Sequence, residues 1–196
     1  MDKLSYALGM SIAGNFIASG VRSLVMDDFM AGVKAVMENG DKAMTFEQAK
    51  AEVTRFFTEL ESKAGEMNRK AGREFLEQNA KQPGVQVTKS GLQYQVIKQG
   101  TGRIATKNDV VTVHYTGRLI DGTVFDSSVE RGEPATFGVS QVIAGWTEAL
   151  TMMPEGSAWR LFIPSELAYG SHGTGPIQPH STLIFDVQLI KVGKKS

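Results

Sequence analysis

Cysteine is absent from the 196-residue sequence, which removes disulfides, thiolate nucleophiles and cysteine-ligated metals from consideration. Either redox environment tolerates such a chain, so this absence does not fix the compartment. Charge of one sign is not in excess: 21 Lys and Arg stand against 21 Asp and Glu, and no global field draws the chain to nucleic acid or to an anionic membrane. A long apolar run is also missing. Residues 4–21 carry no charge, but Ser5, Gly9, Ser11, Gly14, Asn15, Ser19 and Gly20 interrupt them, and Asp2 precedes them beside Lys3. This stretch reads as a buried helix rather than a leader or a membrane span. The expected location is cytoplasmic, with a periplasmic or outer-membrane-associated one as the alternative if an export signal has been removed.

Proline is missing from the first 82 residues, and helical periodicity fills them. Leu4, Leu8, Ile12 and Phe16 recur every four residues, with Tyr6 and Ile17 widening the face, so a helix is expected over about 2–19. Phe29, Val33, Val36 and Met37 predict a second, ended by Asn39-Gly40. Thr45 and Gln48 have capping-box spacing, and Ala49, Val53, Phe56, Leu60, Ala64, Met67, Ala71 and Phe75 then step by four and three. The spacing predicts a linker helix over about 45–81, roughly 50 Å long at 1.5 Å per residue. Its first half, rich in large apolar residues, is expected to pack in a helical domain. Its second half, mostly charged or small, is expected to be a solvated rod. The exposed apolar surface that such helices leave in a monomer argues for a homodimer through residues 1–60, the alternative being a monomeric helical hairpin.

Gln82-Pro83-Gly84 stops the helix, and the composition turns to Val, Thr and Gly with period-two alternation. Domains are therefore expected at 1–83 and 84–196. Leu92, Tyr94 and Val96 alternate in one strand. Val111, Val113 and Tyr115 share a face of another, Asp121-Gly122 makes a hairpin turn, and the returning strand carries Phe125 beside Asp126. A short helix holds Trp146, Ala149 and Leu150, and Ala158–Ile163 and Thr182–Val192 are further strands.

Two glycine patterns mislead. Gly100-Thr101-Gly102-Arg103-Ile104-Ala105 has dinucleotide-binding spacing, but a strand follows where that chemistry needs a helix N-terminus. Gly170-Ser171-His172-Gly173-Thr174-Gly175 is not followed by the Lys and helix of a phosphate cradle. His114, His172 and His180 share no metal-ligand spacing, so no metal is expected. Asp126-Ser127-Ser128 pairs an acid with a hydroxyl but has no base in register.

Val113-His114-Tyr115-Thr116-Gly117, Asp121–Ser128, Val142-Ile143-Ala144-Gly145-Trp146, Ala168-Tyr169-Gly170 and Thr182–Val187 occur in an order that resembles the FKBP-type peptidyl-prolyl cis-trans isomerases over about Gly91–Val192. The helical region resembles the dimerisation domain of the FKBP-22 and macrophage-infectivity-potentiator-like branch. The resemblance implies an α+β chain, an all-α dimerisation region followed by a twisted antiparallel sheet wrapped around a short helix. It implies catalysis of Xaa-Pro rotation at Tyr115, Phe125, Asp126 and Tyr169, with Arg131, Val142, Ile143, Trp146, Ile177 and Phe185 binding substrate. Trp146 would be the floor, Tyr169 would offer its hydroxyl to a substrate carbonyl, and the Ile143 N–H would bind another. No cofactor is implied. The partners implied are proline-containing unfolded or partly folded polypeptides and macrolides of the FK506 type, with no nucleic acid and no membrane. A non-catalytic chaperone or peptide-binding module using the dimer cleft is the alternative. Ala135 stands where the family often has a large aromatic, predicting a more open wall. The 170–178 loop is about one residue short, with Gln178-Pro179-His180 replacing the usual paired prolines.

Overall fold

The computed structural model describes residues 1–194 and resolves the chain into two compact units that meet at Leu60 and Glu61. The first is helical. Asp2 caps α1 (Lys3–Ala18) by accepting from the Ser5 N–H at 2.8 Å, and Gly20 ends the segment in the left-handed region at φ 88°. Next come α2 (Met26–Met37) and the start of α3 (Phe46–Asn79). The capping box forms as spaced: the Thr45 N–H donates to Gln48 Oε1 at 2.8 Å, and the Gln48 N–H to Thr45 Oγ1 at 3.2 Å. Phe16 meets Phe29 edge to face at 5.6 Å, and Leu60 packs on Gly20. No residue in 1–60 is buried, so within one chain α1 is not the buried helix expected of residues 4–21.

The second unit contains the rest of α3 and an antiparallel sheet. Its strands are β1 (Val85–Val87), β2 (Gln93–Lys98), β3 (Asp109–Leu119), β4 (Val124–Ser127), β5 (Ala135–Gly138), β6 (Ala158–Ile163) and β7 (Leu183–Lys194). They are ordered β1-β2-β6-β7-β3-β4, with β5 beside the first half of β3. Alternation along β3 is strict: Val111, Val113 and Tyr115 are buried and their neighbours are not. The same face of β7 carries Leu183, Phe185, Val187 and Leu189. Against it lies α4 (Ala144–Leu150), which buries Trp146, Ala149 and Leu150. The fold is therefore α+β, a helical region followed by a twisted antiparallel sheet around one short helix. None of the helices among the described residues is long and apolar enough to cross a membrane.

Two further expectations need correcting. The second half of α3 is not a solvated rod, because Gly65 and Gly72 are buried and Phe75 lies 6.0 Å from Phe162 of β6. Gln93 is buried beneath it, donating to the Leu76 carbonyl at 2.9 Å and accepting from Asn79 Nδ2 at 2.8 Å. Small and amide side chains make this contact, so a stripe of large apolar residues does not reveal it. In the second case a base does stand near Asp126-Ser127-Ser128, since His114 Nδ1 lies 3.1 Å from Ser128 Oγ. Ser128 is fully buried, however, and its Oγ accepts from the Tyr115 N–H at 2.8 Å, so the pair ties β3 to the chain after β4 and cannot reach a substrate. The glycines at 100 and 102 serve packing. A Cβ on Gly100 would come within 2.3 Å of the Glu155 carbonyl oxygen.

Candidate active site

Pairing across the sheet brings together residues far apart in sequence. Tyr115 faces Val187, and Gly117 faces both Phe185 of β7 and Asp126 of β4. Gly117 has no side chain to hold Phe125 and Phe185 apart, and their rings meet edge to face at 5.5 Å. Trp146 projects from α4 toward the same place. Its indole lies edge to face with Tyr115 at 5.3 Å and with Phe185 at 5.2 Å, an arrangement aromatic quadrupoles favour.

These rings enclose a cavity of about 520 Å³. It is lined by Tyr115, Phe125, Asp126, Val142, Ile143, Trp146, Tyr169, Ile177 and Phe185, together with Phe137, Gln141, Thr174, Gly175 and Pro176. Nine of the ten residues singled out from the sequence thus share one hollow. The tenth, Arg131, is outside the lining and stands behind Asp126. Phe137 went unnoticed. It lines the recess from β5, two residues beyond Ala135, 6.0 Å from both Tyr115 and Trp146. Alternation in the short β5 turns Phe137 inward and leaves Thr136 exposed, a signal present in Ala135-Thr136-Phe137.

The polar edge is a connected trio. The Tyr115 hydroxyl donates to Asp126 Oδ2, Arg131 Nη1 donates to Asp126 Oδ1, and Arg131 Nη2 donates to the Tyr115 oxygen at 3.0 Å. The Arg131 guanidinium also lies 5.7 Å from the centre of the Tyr115 ring. Burial pushes the Asp126 carboxyl upward, but the Tyr115 hydroxyl and Arg131 together outweigh it and hold the carboxyl below its ordinary range. Burial, aided by the neighbouring carboxylate, raises the Tyr115 phenol above its own. The carboxylate is thus ionised and the phenol protonated at neutral pH. The Ile143 N–H donates to no protein acceptor among the described residues. No cluster of three or more His, Asp and Glu suited to a metal occurs among them. The site can exclude water from an apolar ring, present a fixed negative charge at its rim and offer an N–H and a phenol as donors.

The C-terminal part matches the family model of FKBP-type peptidyl-prolyl cis-trans isomerases over residues 101–190. Residues 1–96 match the domain found amino-terminal to that isomerase. Among curated proteins, an outer membrane protein MIP of Legionella longbeachae is 47% identical over 98% of this chain and 86% of its own length. The FKBP-type 22 kDa peptidyl-prolyl cis-trans isomerase of Escherichia coli is 46% identical over 96% and 93%. A crystal structure of FkpA from Escherichia coli superposes with a TM-score of 0.77 at 36% identity, covering 98% of this chain and 96% of that one.

Proposed function

The chain belongs to the FKBP-type peptidyl-prolyl cis-trans isomerases, and on that premise we propose that its isomerase reaction, the rotation of Xaa-Pro bonds, takes place in the recess floored by Trp146. Resonance gives the amide C–N bond double-bond character and a barrier of about 18–20 kcal/mol. Twisting the bond removes that resonance and with it part of the negative charge on the carbonyl oxygen. Water stabilises the planar, more dipolar amide. A recess that strips water from the bond therefore favours the twisted state by comparison. No bond is made or broken, so the chemistry needs neither nucleophile nor cofactor.

The proline ring rests on the Trp146 indole between Tyr115, Phe125, Phe137 and Phe185, with Val142 and Ile177 closing the sides. The Tyr169 hydroxyl and the Ile143 N–H bind the carbonyls flanking the ring. Asp126 holds a fixed charge beside the twisting amide, and Arg131 acts through Asp126 and Tyr115 by holding both in place. The observation that carries this reading is the convergence of four rings from β3, β4, α4 and β7 on one hollow with an ionised carboxylate at its rim. Trp146→Leu and Asp126→Ala are each expected to lower kcat/KM on a short Xaa-Pro peptide by about tenfold or more, roughly 1.4 kcal/mol of transition-state stabilisation. Unchanged turnover in both variants removes the assignment.

Residues 84–196 form the isomerase domain on this reading and 1–83 the helical one, whose last turns dock on the isomerase domain. Its substrates are proline-containing unfolded or partly folded polypeptides. Macrolides of the FK506 type occupy the same recess, and competition with the peptide substrate tests this. Residues 1–60 pair with those of a second copy. The expectation of a cytoplasmic location competes with an envelope one, which the likeness to an outer membrane protein of Legionella longbeachae supports. Osmotic-shock fractionation separates the two.

A further inference from the structure

One side of the recess is roofed by the 169–178 loop, whose Tyr169, Thr174, Gly175, Pro176 and Ile177 face the cavity. Gly170, Gly173 and Gly175 have positive φ values of 58°, 63° and 49°, paired hydrogen bonds between Thr174 and Ile177, both at 2.8 Å, close the tip, and Ile177 fastens that tip to the core. The chain then returns to β7 through Pro179, His180, Ser181 and Thr182. His180 has φ 58°, which a residue with a side chain holds only where its surroundings impose it. In that conformation its N–H donates to the Gly170 carbonyl at 2.8 Å and draws the two ends of the loop together.

What surrounds this return is one face of α3. Asn68 Nδ2 donates to the Pro179 carbonyl at 3.0 Å, and Arg69 Nη2 sits against the His180 imidazole, 2.8 Å from Nε2 and 3.4 Å from Nδ1. One turn to either side the helix has no side chain. A Cβ on Gly65 would lie 3.1 Å from His180 Cδ2, and one on Gly72 would lie 2.3 Å from Thr182 Oγ1. Positions 65, 68, 69 and 72 are spaced i, i+3, i+4 and i+7, so a single stripe of the helix grips the stem.

We propose that this stripe of α3 anchors the roof of the recess: Asn68 and Arg69 are positioning residues that, by fixing Pro179 and His180, hold Ile177 and Tyr169 over the bound prolyl segment. This rests on the recess being the site of isomerisation. An anchored roof contacts planar and twisted substrate alike, so it acts mainly on binding rather than on the rotation step. Without the anchor, part of the binding energy goes into ordering a glycine-rich loop.

The test uses the full chain. In Asn68→Ala, Arg69→Ala and Gly72→Ala, KM for an Xaa-Pro peptide is expected to rise about threefold to tenfold with kcat within about twofold of wild type, and Arg69→Lys, which keeps a donor, to recover part of the loss. Amide hydrogen exchange is expected to quicken at 170–177 and to stay unchanged in β3 and β7. Gly72→Ala is informative because alanine favours a helix over glycine, so a helix making no contact here would be stabilised instead. Wild-type exchange at 170–177 in all three variants overturns the anchor whatever the kinetics. Wild-type KM in all three, with Trp146→Leu impaired, overturns it while sparing the recess. Unimpaired Trp146→Leu and Asp126→Ala together remove the recess, and exchange alone then decides the anchor.

Discussion

Gly117 is where two walls of the recess are allowed to meet. A Cβ there would lie 2.6 Å from Phe125 Cε2 and Cζ and equally close to Phe185 Cε1. The Gly117→Ala methyl must therefore push both rings, and overpacking of this kind costs about 1–3 kcal/mol. Turnover is expected to fall by about tenfold, because on the proposed reading the displaced rings are walls that touch substrate, while the circular dichroism spectrum stays native. Wild-type turnover would show that ring placement does not matter. Asp109 works on stability instead. Buried at the start of β3, it accepts from the Thr106 N–H and hydroxyl, each at 2.8 Å, and from Arg103. Led by the Thr106 N–H, these donors hold its carboxyl at about 2 against an ordinary 3.8. Since the folded value is the lower one, the contribution is complete above the ordinary value and fades as pH falls from there through about 2. Urea midpoints should put Asp109→Asn well below wild type at neutral pH and bring the two together in that acid window. A gap of constant size would mean that the charge is not what stabilises the fold.

At the scale of elements, what could be read in advance depended on the kind of contact each one makes. β3 was legible because one of its faces is buried along its length, so Val111, Val113 and Tyr115 alternate with polar neighbours. α1, α2 and the capped start of α3 were legible from apolar residues recurring at helical period, although none of those residues is buried within one chain. The recess was not legible from period alone. Tyr115 and Phe185 are 70 residues apart, and only the ordered resemblance placed them together before the β3–β7 register did. Phe137 was missed because β5 spans only Ala135–Gly138, too short for alternation to stand out. The docked half of α3 was missed for a different reason. Gly65, Asn68, Gly72 and Asn79 touch their neighbours through backbone proximity and amide hydrogen bonds, which leave no hydrophobic periodicity. Close approach at glycine is a form of packing that a search for large apolar side chains cannot see.

For the whole molecule, the two units have opposite relations to water. The second encloses a continuous core from Leu92 to Val192, whereas in the first Leu4, Tyr6, Leu8, Met10, Ile17 and Phe46 are all more than half exposed. Burying one such side chain contributes about 1.5–3 kcal/mol, and a 60-residue unit without a buried residue has no core to offset its chain entropy. On the proposed pairing of residues 1–60, a second copy of the same surface would supply the missing cover symmetrically, as an isologous pair requires. If so, stability of the helices is a mass-action quantity. Their melting temperature should rise with protein concentration in the wild type, and Leu8→Glu should abolish both that dependence and sedimentation as a dimer. Turnover of a short Xaa-Pro peptide per chain should be unaffected in Leu8→Glu, because every residue lining the recess belongs to the second unit. Wild-type protein that sediments at the 21.3 kDa of one chain at roughly micromolar concentration and above, with a melting temperature independent of concentration, would mean that the exposed stripe of α1 is covered by something other than its own copy.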